Sequence, residues 1–210
     1  MHAPRKQARQ ARARATQEAI IEAAARILEA QGNAGLTTNA IAARAGVSIG
    51  SLYQYFPNKE AVLAALLRHK RAELLGWMRA AVETHRDAAP DVALRALLEA
   101  GLRHQIERPR LAREAEYTEQ HLQLAQETAA LADEMAQLVL ETVQRVQPRA
   151  GMQEARDAVA IAKGIINAAA FAEETGGAAL VGRAERAVRG YLRELSVNRA
   201  DNRAVSSLAP

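Results

Sequence analysis

The chain has 210 residues, of which 49 are alanine, only seven are Phe, Trp or Tyr, and none is cysteine. Its length accommodates one large domain or two small ones. The lack of cysteine excludes disulfide frameworks and thiolate metal sites and favours a reducing, cytoplasmic compartment. The net charge of +4 resides at the N-terminus, because residues 1–60 carry eight Lys or Arg and four acids, whereas residues 61–210 carry twenty of each.

The most apolar run, 158–172, is broken by Lys163 and Asn167, so we expect no membrane span and no membrane partner. No apolar region of a secretory signal follows the basic N-terminus.

The composition predicts an all-α fold that begins with a basic arm. Alanine, leucine, arginine, glutamate and glutamine lose least on entering a helix, and they dominate the sequence. The first fifteen residues include Arg5, Lys6, Arg9, Arg12 and Arg14 but no acid. We predict that residues 1–15 form a flexible arm, which either follows phosphates or is a solvated tail without a partner.

Two short helices separated by a glycine turn follow an amphipathic first helix that starts at Thr16. Thr37 or its neighbour offers a hydroxyl that caps a second helix ending just before Gly46, and Ser48 caps a third helix over residues 49–55. A glycine turn between two short helices is typical of a helix-turn-helix, whose second helix enters the major groove.

Proline and glycine divide the remaining sequence into six further predicted helices. The fourth is capped by Asn58 and ends near Thr84, the fifth opens at Pro90, the sixth follows Pro109, and the seventh ends near Val146. The eighth and ninth follow, and residues 199–210 show no periodicity and are predicted to be a flexible tail.

The eighth predicted helix, 155–175, is apolar nearly all round, so a single neighbouring face cannot cover it. We expect a second copy of the chain to cover the other side, with the ninth helix completing the interface. The predicted dimer interface consists of Ala158, Ala162, Ile165, Ile166, Ala169, Val188, Tyr191, Leu192 and Leu195.

The most specific pattern is Leu36–Glu60, which reads LTTNAIAARAGVSIGSLYQYFPNKE. Its Ala-Gly-Val turn, its Gly-x-Leu-Tyr-x-Tyr-Phe segment and its Asn-Lys-Glu helix start closely resemble the DNA-binding signature of the TetR/AcrR family of bacterial transcriptional regulators. The nine-helix layout extends the resemblance over most of the chain. It implies a homodimeric regulator, most often a repressor, that binds a palindromic double-stranded DNA operator with half-sites about 34 Å apart.

Each residue type in this segment has a predicted part in docking to DNA. Ile41, Ala42, Val47 and Leu52 are predicted to lock the two short helices together. The residues predicted to position phosphates are Thr37, Thr38, Tyr53, Tyr55 and Lys59. The residues predicted to face base edges are Asn39, Ser48, Ile49, Gly50, Ser51 and Gln54. The other interpretation of the aromatic residues at 53, 55 and 56 is a core beneath the helix hairpin.

The resemblance further implies a small-molecule pocket enclosed by the fourth to seventh helices, whose ligand shifts the fourth helix and releases DNA. Candidate wall residues are Trp77, Met78, Leu98, Leu102, His104, Tyr117, His121 and Leu124. The scarcity of aromatic residues favours a lipophilic or acyl compound over a planar one.

Two alternatives differ in class from a ligand-controlled repressor. One is a DNA-binding factor of the same fold that is controlled by protein partners. The other is a helical-bundle enzyme, for which the sequence offers only His69 with Glu73 and His104 with Glu107 as close pairs, with no nucleophile elbow or phosphate-binding loop. We therefore predict no catalysis, no cofactor and no metal site. The predicted division is a DNA-binding domain over 16–60 and a ligand-binding and dimerisation domain over 61–198, in a cytoplasmic, nucleoid-associated protein.

Overall fold

The computed structural model describes residues 3–119, 122, 124–172, 174 and 176–206, with the backbone alone for residues 3–6, 104 and 195–206. Within this part of the chain there are nine α-helices and no strand. They are α1 (Ala3–Gln31), α2 (Thr38–Ala45), α3 (Ile49–Tyr55), α4 (Lys59–Thr84), α5 (Pro90–Ile106), α6 (Pro109–Glu119), α7 (Ala125–Val146), α8 (Met152–Phe171) and α9 (Gly177–Ser206), with a 3₁₀ turn at Asn33–Gly35. The predicted all-α class is confirmed.

Local chemistry sets most of the helix starts, as the sequence predicts. Thr37 Oγ1 accepts the Ala40 N–H at 3.1 Å and so caps α2, while Asn58 Oδ1 accepts the Ala61 N–H at 2.8 Å and caps α4. Two further helices, α5 and α6, each begin at a proline, whose missing N–H costs nothing in the first turn.

The first helix starts earlier than predicted and includes most of the segment predicted as a basic arm. Helix α1 begins at Ala3 instead of Thr16, so residues 3–15 are helical. No helix-breaking residue separates them from the buried part of α1, and extending an existing helix avoids the unfavourable nucleation step. Residues 1 and 2 lie outside the described residues.

The last two helices also differ from their predicted bounds. Helix α8 spans Met152–Phe171 instead of 155–175, because the Glu154 carboxylate accepts the Gly151 N–H at 2.7 Å and starts the helix three residues early. Helix α9 continues to Ser206, through eight residues of the predicted irregular tail, which are rich in helix-favouring alanine and arginine. Residues 207–210 of that tail lie outside the described residues.

The chain divides into two compact units, of which the first comprises Met1–Arg71 and Pro109–Leu124. Its core joins α1, α2, α3, the first half of α4 and α6. The fully buried side chains at its centre are Ile20, Leu28, Leu36, Ile41, Leu52, Val62 and Leu111. The predicted domains grouped residues 61–71 and α6 with the regulatory half, whereas here both pack with the helix-turn-helix segment.

The second unit comprises Ala72–Arg108 and Ala125–Pro210. Helices α5, α7, α8 and α9 pack against one another around a core that includes Leu94, Leu97, Val143, Ala155, Val188 and Leu192. Among the described residues, no helix combines the length and the apolar character needed to cross a bilayer.

Candidate nucleic-acid interface

The turn between α2 and α3 consists of three residues that have separate tasks. Gly46 adopts φ 70° and ψ 28°, in the left-handed region, and its N–H and that of Val47 donate to the last carbonyls of α2. Ser48 Oγ then accepts the Ser51 N–H at 3.0 Å and starts α3. The turn therefore satisfies the backbone groups at both helix ends and fixes the angle between the helices.

The buried side of this hairpin matches the prediction. Ile41, Ala42 and Leu52 are 0%, 3% and 0% exposed, and Val47 is half-buried against the same core. Phe56, just after α3, is also buried, so the core interpretation holds for that aromatic residue.

The outer face of α3 is not covered by the other residues that the structure describes. Ile49 is 38% exposed and Tyr53 51% exposed, and Gly50 and Gln54 are exposed as well. An isoleucine and a tyrosine held outward on a short, well-capped helix offer apolar and hydroxyl groups to a partner. The aromatic cluster is thus divided, with Phe56 in the core and Tyr53 at the surface.

Two of the predicted phosphate-positioning residues meet in the structure. The hydroxyls of Thr38, in the first turn of α2, and Tyr53, on α3, lie 3.3 Å apart. Thr37 is exposed beside them, at the end of α2 where free backbone N–H groups favour an anion. Threonine and tyrosine hydroxyls therefore gather at a helix N-terminus, an arrangement suited to a phosphate group.

Among the described residues, no hydrogen bond links the other predicted contact residues to the Thr38–Tyr53 pair. Asn39 is exposed on α2, and Tyr55 and Lys59 are half-buried. The hydroxyls of Ser48 and Ser51 are 2.8 Å apart, so their hydrogen bonding is partly engaged in capping α3.

Gly50 provides a test that separates folding from binding. A Cβ at this position would have only Ser48 Oγ within 4 Å, at 3.9 Å, so the fold has room for a side chain. We predict that Gly50→Ala leaves the free energy of unfolding unchanged or raises it by about 0.5–1 kcal/mol, yet weakens DNA binding, because the added methyl separates the backbone from the base edges. Urea unfolding and fluorescence anisotropy with duplex DNA measure the two effects. Unchanged binding would contradict close approach at Gly50.

The predicted pocket residues are distributed over both compact units. Met78, Leu98 and Leu102 are buried in the core of the second unit, where Trp77 is half-buried with the Arg103 guanidinium 4.8 Å from its ring centroid. Tyr117 and Leu124 belong to the first unit, the former 57% exposed and the latter buried. The side chain of His104, and His121 altogether, lie outside the described residues.

Sequence reasoning missed a polar pair inside the second unit. Gln105 Nε2 on α5 donates to Asn167 Oδ1 on α8 at 2.9 Å, in a partly buried position beside an otherwise aliphatic core. The interruption of the apolar run at Asn167 was the available signal. Polar groups beside an apolar interior commonly orient ligands in such sites.

Most of the predicted interface residues lie inside one protomer. Ala158, Ile166, Ala169, Val188 and Leu192 are at most 6% exposed in the core of the second unit. Ala162, Ile165 and Tyr191 are half-buried, and the side chain of Leu195 lies outside the described part. A charge at Ala169, which is 0% exposed, would therefore disrupt the protomer itself.

Tyr191 is held within the protomer by a hydrogen bond. Its hydroxyl donates to Asp157 Oδ2 at 2.5 Å and so links α9 to α8. Burial and this hydrogen bond raise the pKa of Tyr191 to about 12. The hydroxyl is thus engaged within its own chain.

A different surface of α8 remains open. Ala160, Gly164, Ala168 and Phe171 recur at helical spacing and are exposed, with Phe171 at 53%. A Cβ at Gly164 would have no atom within 4 Å. We call these four residues the α8 outer stripe.

These features define a helical protein with an N-terminal helix-turn-helix and a separate helical unit. The model for bacterial regulatory proteins of the tetR family matches residues 20–66. The TetR resemblance of the sequence is therefore confirmed: this segment is a DNA-binding region of the TetR type, and the chain has the fold of a TetR-family transcriptional regulator. No curated protein matches the sequence significantly.

Solved structures extend the similarity of fold along the chain. The fatty acid degradation regulator FadR from Bacillus halodurans is 19% identical, with a TM-score of 0.67 over 82% of this chain and 93% of that one. A transcriptional regulator from Rhodococcus sp. RHA1 is 21% identical, with a TM-score of 0.69 over 85% and 96%. A tetR-family regulatory protein from Rhodococcus RHA1 is 17% identical, with a TM-score of 0.68 over 84% and 96%.

Proposed function

We propose that the protein is a homodimeric transcriptional repressor that binds a palindromic DNA operator and is released from it by a small lipophilic ligand. The observation that carries the proposal is the α2–turn–α3 hairpin, whose inner face is fully packed and whose outer face presents Ile49, Gly50, Tyr53 and Gln54. A rigid hairpin with an uncovered polar and apolar face is suited to reading base edges. On this proposal residues 16–60 read the operator, residues 61–198 bind ligand and dimerise, and the protein acts in the cytoplasm at the nucleoid.

Dimerisation is proposed to set the spacing of the two α3 helices on the DNA. The α8 outer stripe offers small residues that allow close approach of a partner helix and ends in the exposed Phe171. A two-fold pairing through this stripe and α9 places two α3 helices on one face of the duplex, about one turn apart. The buried residues of the predicted interface then support this surface from within the protomer.

Side-chain replacements on α3 distinguish positioning from reading. Tyr53→Phe removes the hydroxyl that meets Thr38 and should weaken binding to all duplexes about equally, while Gln54→Ala should change the preference among sequences. A loss of specificity costs about 1–3 kcal/mol for each misread base pair, or roughly five- to 150-fold in affinity. Competition with a panel of operator variants measures both effects. Wild-type behaviour of both proteins would contradict the assignment of α3 as the reading helix.

The ligand is proposed to be an acyl compound. Aliphatic side chains such as Leu98 and Leu102 dominate the interior of the second unit, and the Gln105–Asn167 pair supplies a polar anchor for a head group. One protein of similar fold is a fatty acid degradation regulator. A role in fatty acid degradation for a protein of similar fold supports testing acyl compounds as ligands here.

A thermal-shift series with fatty acids of increasing chain length tests the ligand class. We expect one range of lengths to raise the melting temperature and to release DNA in the same concentration range, because a ligand stabilises the state that it binds. Asn167→Leu should reduce the shift. Absence of any stabilising fatty acid would favour a DNA-binding factor controlled by protein partners.

A further inference from the structure

The N-terminal extension of α1 is a single helix that carries exposed cations. Helix α1 runs unbroken from Ala3 to Gln31, but its first fully buried residue is Ile20. The seventeen residues before Ile20 extend about 25 Å at 1.5 Å per residue. Arg9, Arg12 and Arg14 are exposed on this extension.

One face of α1 is cationic near the N-terminus and apolar from Ile20 onward. The positions 9, 12, 16, 20, 23 and 27 follow one another at intervals of three or four residues and so lie on one face. From Ile20 onward this face is apolar and enters the core shared with Ile41 of α2 and Leu52 of α3. Before Ile20 the same face carries Arg9 and Arg12 instead. The cationic part thus continues a face of α1 that is buried in the core shared with the helix-turn-helix.

Arg14 and Arg26, elsewhere on α1, form ion pairs within the helix, which sets them apart from the cations on this face. Arg14 and Arg26 pair with glutamates four residues away, at 3.2 Å from Glu18 and 2.8 Å from Glu22. The first acid of the sequence is Glu18, which on a helix lies about 120° around the axis from Arg12 and about 180° from Arg9. No carboxylate of the extension therefore competes for Arg9 and Arg12.

We propose that the face of α1 bearing Arg9 and Arg12 is a second DNA-binding surface, which contacts the phosphates of duplex DNA beside the half-site read by α3. Its charge suits a polyanion, it carries no large apolar side chain that would favour a protein partner, and it continues a face of α1 that is buried in the core shared with α2 and α3. The surface recognises the phosphate backbone, so it adds affinity and salt dependence without sequence preference. This inference rests on the proposed DNA binding and widens its footprint.

The test compares two charge-matched double variants of the full chain. Arg9→Gln with Arg12→Gln alters the proposed surface, and Arg14→Gln with Arg26→Gln removes the same charge from positions paired within the helix. Binding to a mixed-sequence duplex several turns long is measured by anisotropy over a range of salt concentrations. We expect the slope of log affinity against log salt to become shallower by about 1.8 per protomer for the first variant, and by about 3.6 for a dimer, because each phosphate contact contributes about 0.9. The control should keep nearly the wild-type slope.

Other outcomes separate this inference from the proposed function. If the wild-type protein binds duplex DNA and the Arg9/Arg12 double variant shows the same salt slope, the second surface is overturned and the role of α3 is unaffected. A wild-type protein that binds no duplex overturns the proposed function itself. Phosphatidylserine vesicles serve as a parallel probe: loss of vesicle binding in the variant, with duplex binding unaltered, would assign the surface to a membrane and overturn the inference. Circular dichroism checks that both variants remain helical.

Discussion

Replacing Gly164 with glutamate should convert the proposed dimer into monomers and lower operator affinity by about 100-fold or more. Among the described residues nothing covers the α8 outer stripe, and Gly164 lies at its middle, where an added Cβ would meet no side chain or neighbouring element within 4 Å. On a two-fold axis the two carboxylates would face each other and be removed from water. The monomer then loses the gain that comes from binding two half-sites at once, which is of the order of 10²–10⁴. Sedimentation velocity and operator binding are the two measurements.

Gly76→Glu is the matched control for this experiment. Gly76 lies within α4, is exposed, and likewise has no atom within 4 Å of an added Cβ. Glutamate has a higher helix propensity than glycine, so neither change should destabilise the protomer. A Gly164→Glu protein that sediments as a dimer would place the interface elsewhere on the molecule.

Truncating Leu52 should destabilise the DNA-binding unit more than any change on the outer face of α3. Leu52, on the inner face of α3, is fully buried in the core that contains Ile20 and Ile41. Leu52→Ala should lower the free energy of unfolding by about 2–5 kcal/mol, through lost burial and the resulting cavity. That is a large share of the roughly 5–15 kcal/mol typical of a folded protein.

Ile49→Ala, on the same helix, should show the opposite pattern: little change in stability and a loss of DNA affinity. Ile49 is 38% exposed, so its truncation should change the free energy of unfolding by less than about 0.5 kcal/mol. If Ile49 contacts a thymine methyl, operator affinity should fall roughly tenfold. Urea unfolding followed by circular dichroism, together with operator titration, distinguishes the two variants. Equal destabilisation by both would contradict the described orientation of α3.

The helix-turn-helix was predictable because its determinants are local. The Thr37 and Ser48 caps, the left-handed Gly46 and the burial of Leu52 all follow from residue type and spacing over a few turns. The start of the first helix was predicted too late, at Thr16 instead of Ala3. The prediction followed the apolar stripe that begins at Ile20, whereas the helix also propagates through the alanine- and arginine-rich segment before it.

Long-range packing was less accessible from the sequence. An all-round apolar pattern in α8 shows that the helix must be covered, but it does not say by what. The structure covers Ala158 and Ala169 with the chain's own helices. In the same way, Leu111 marks an apolar face on α6, yet its packing in the core of the first unit joins residues about eighty positions apart. Periodicity identifies the face of a helix, whereas the partner depends on contacts distant in sequence.

Selection of bound sequences from random duplex DNA, at a stated salt concentration near physiological, tests the central claim most directly. The outer face of α3 and the proposed pairing of two protomers predict enrichment of a palindrome whose half-sites lie about one helical turn apart. Salt must be fixed because phosphate contacts alone give binding without specificity. Recovery of unenriched sequences, with only weak and salt-sensitive binding, would contradict the proposed sequence-specific repressor.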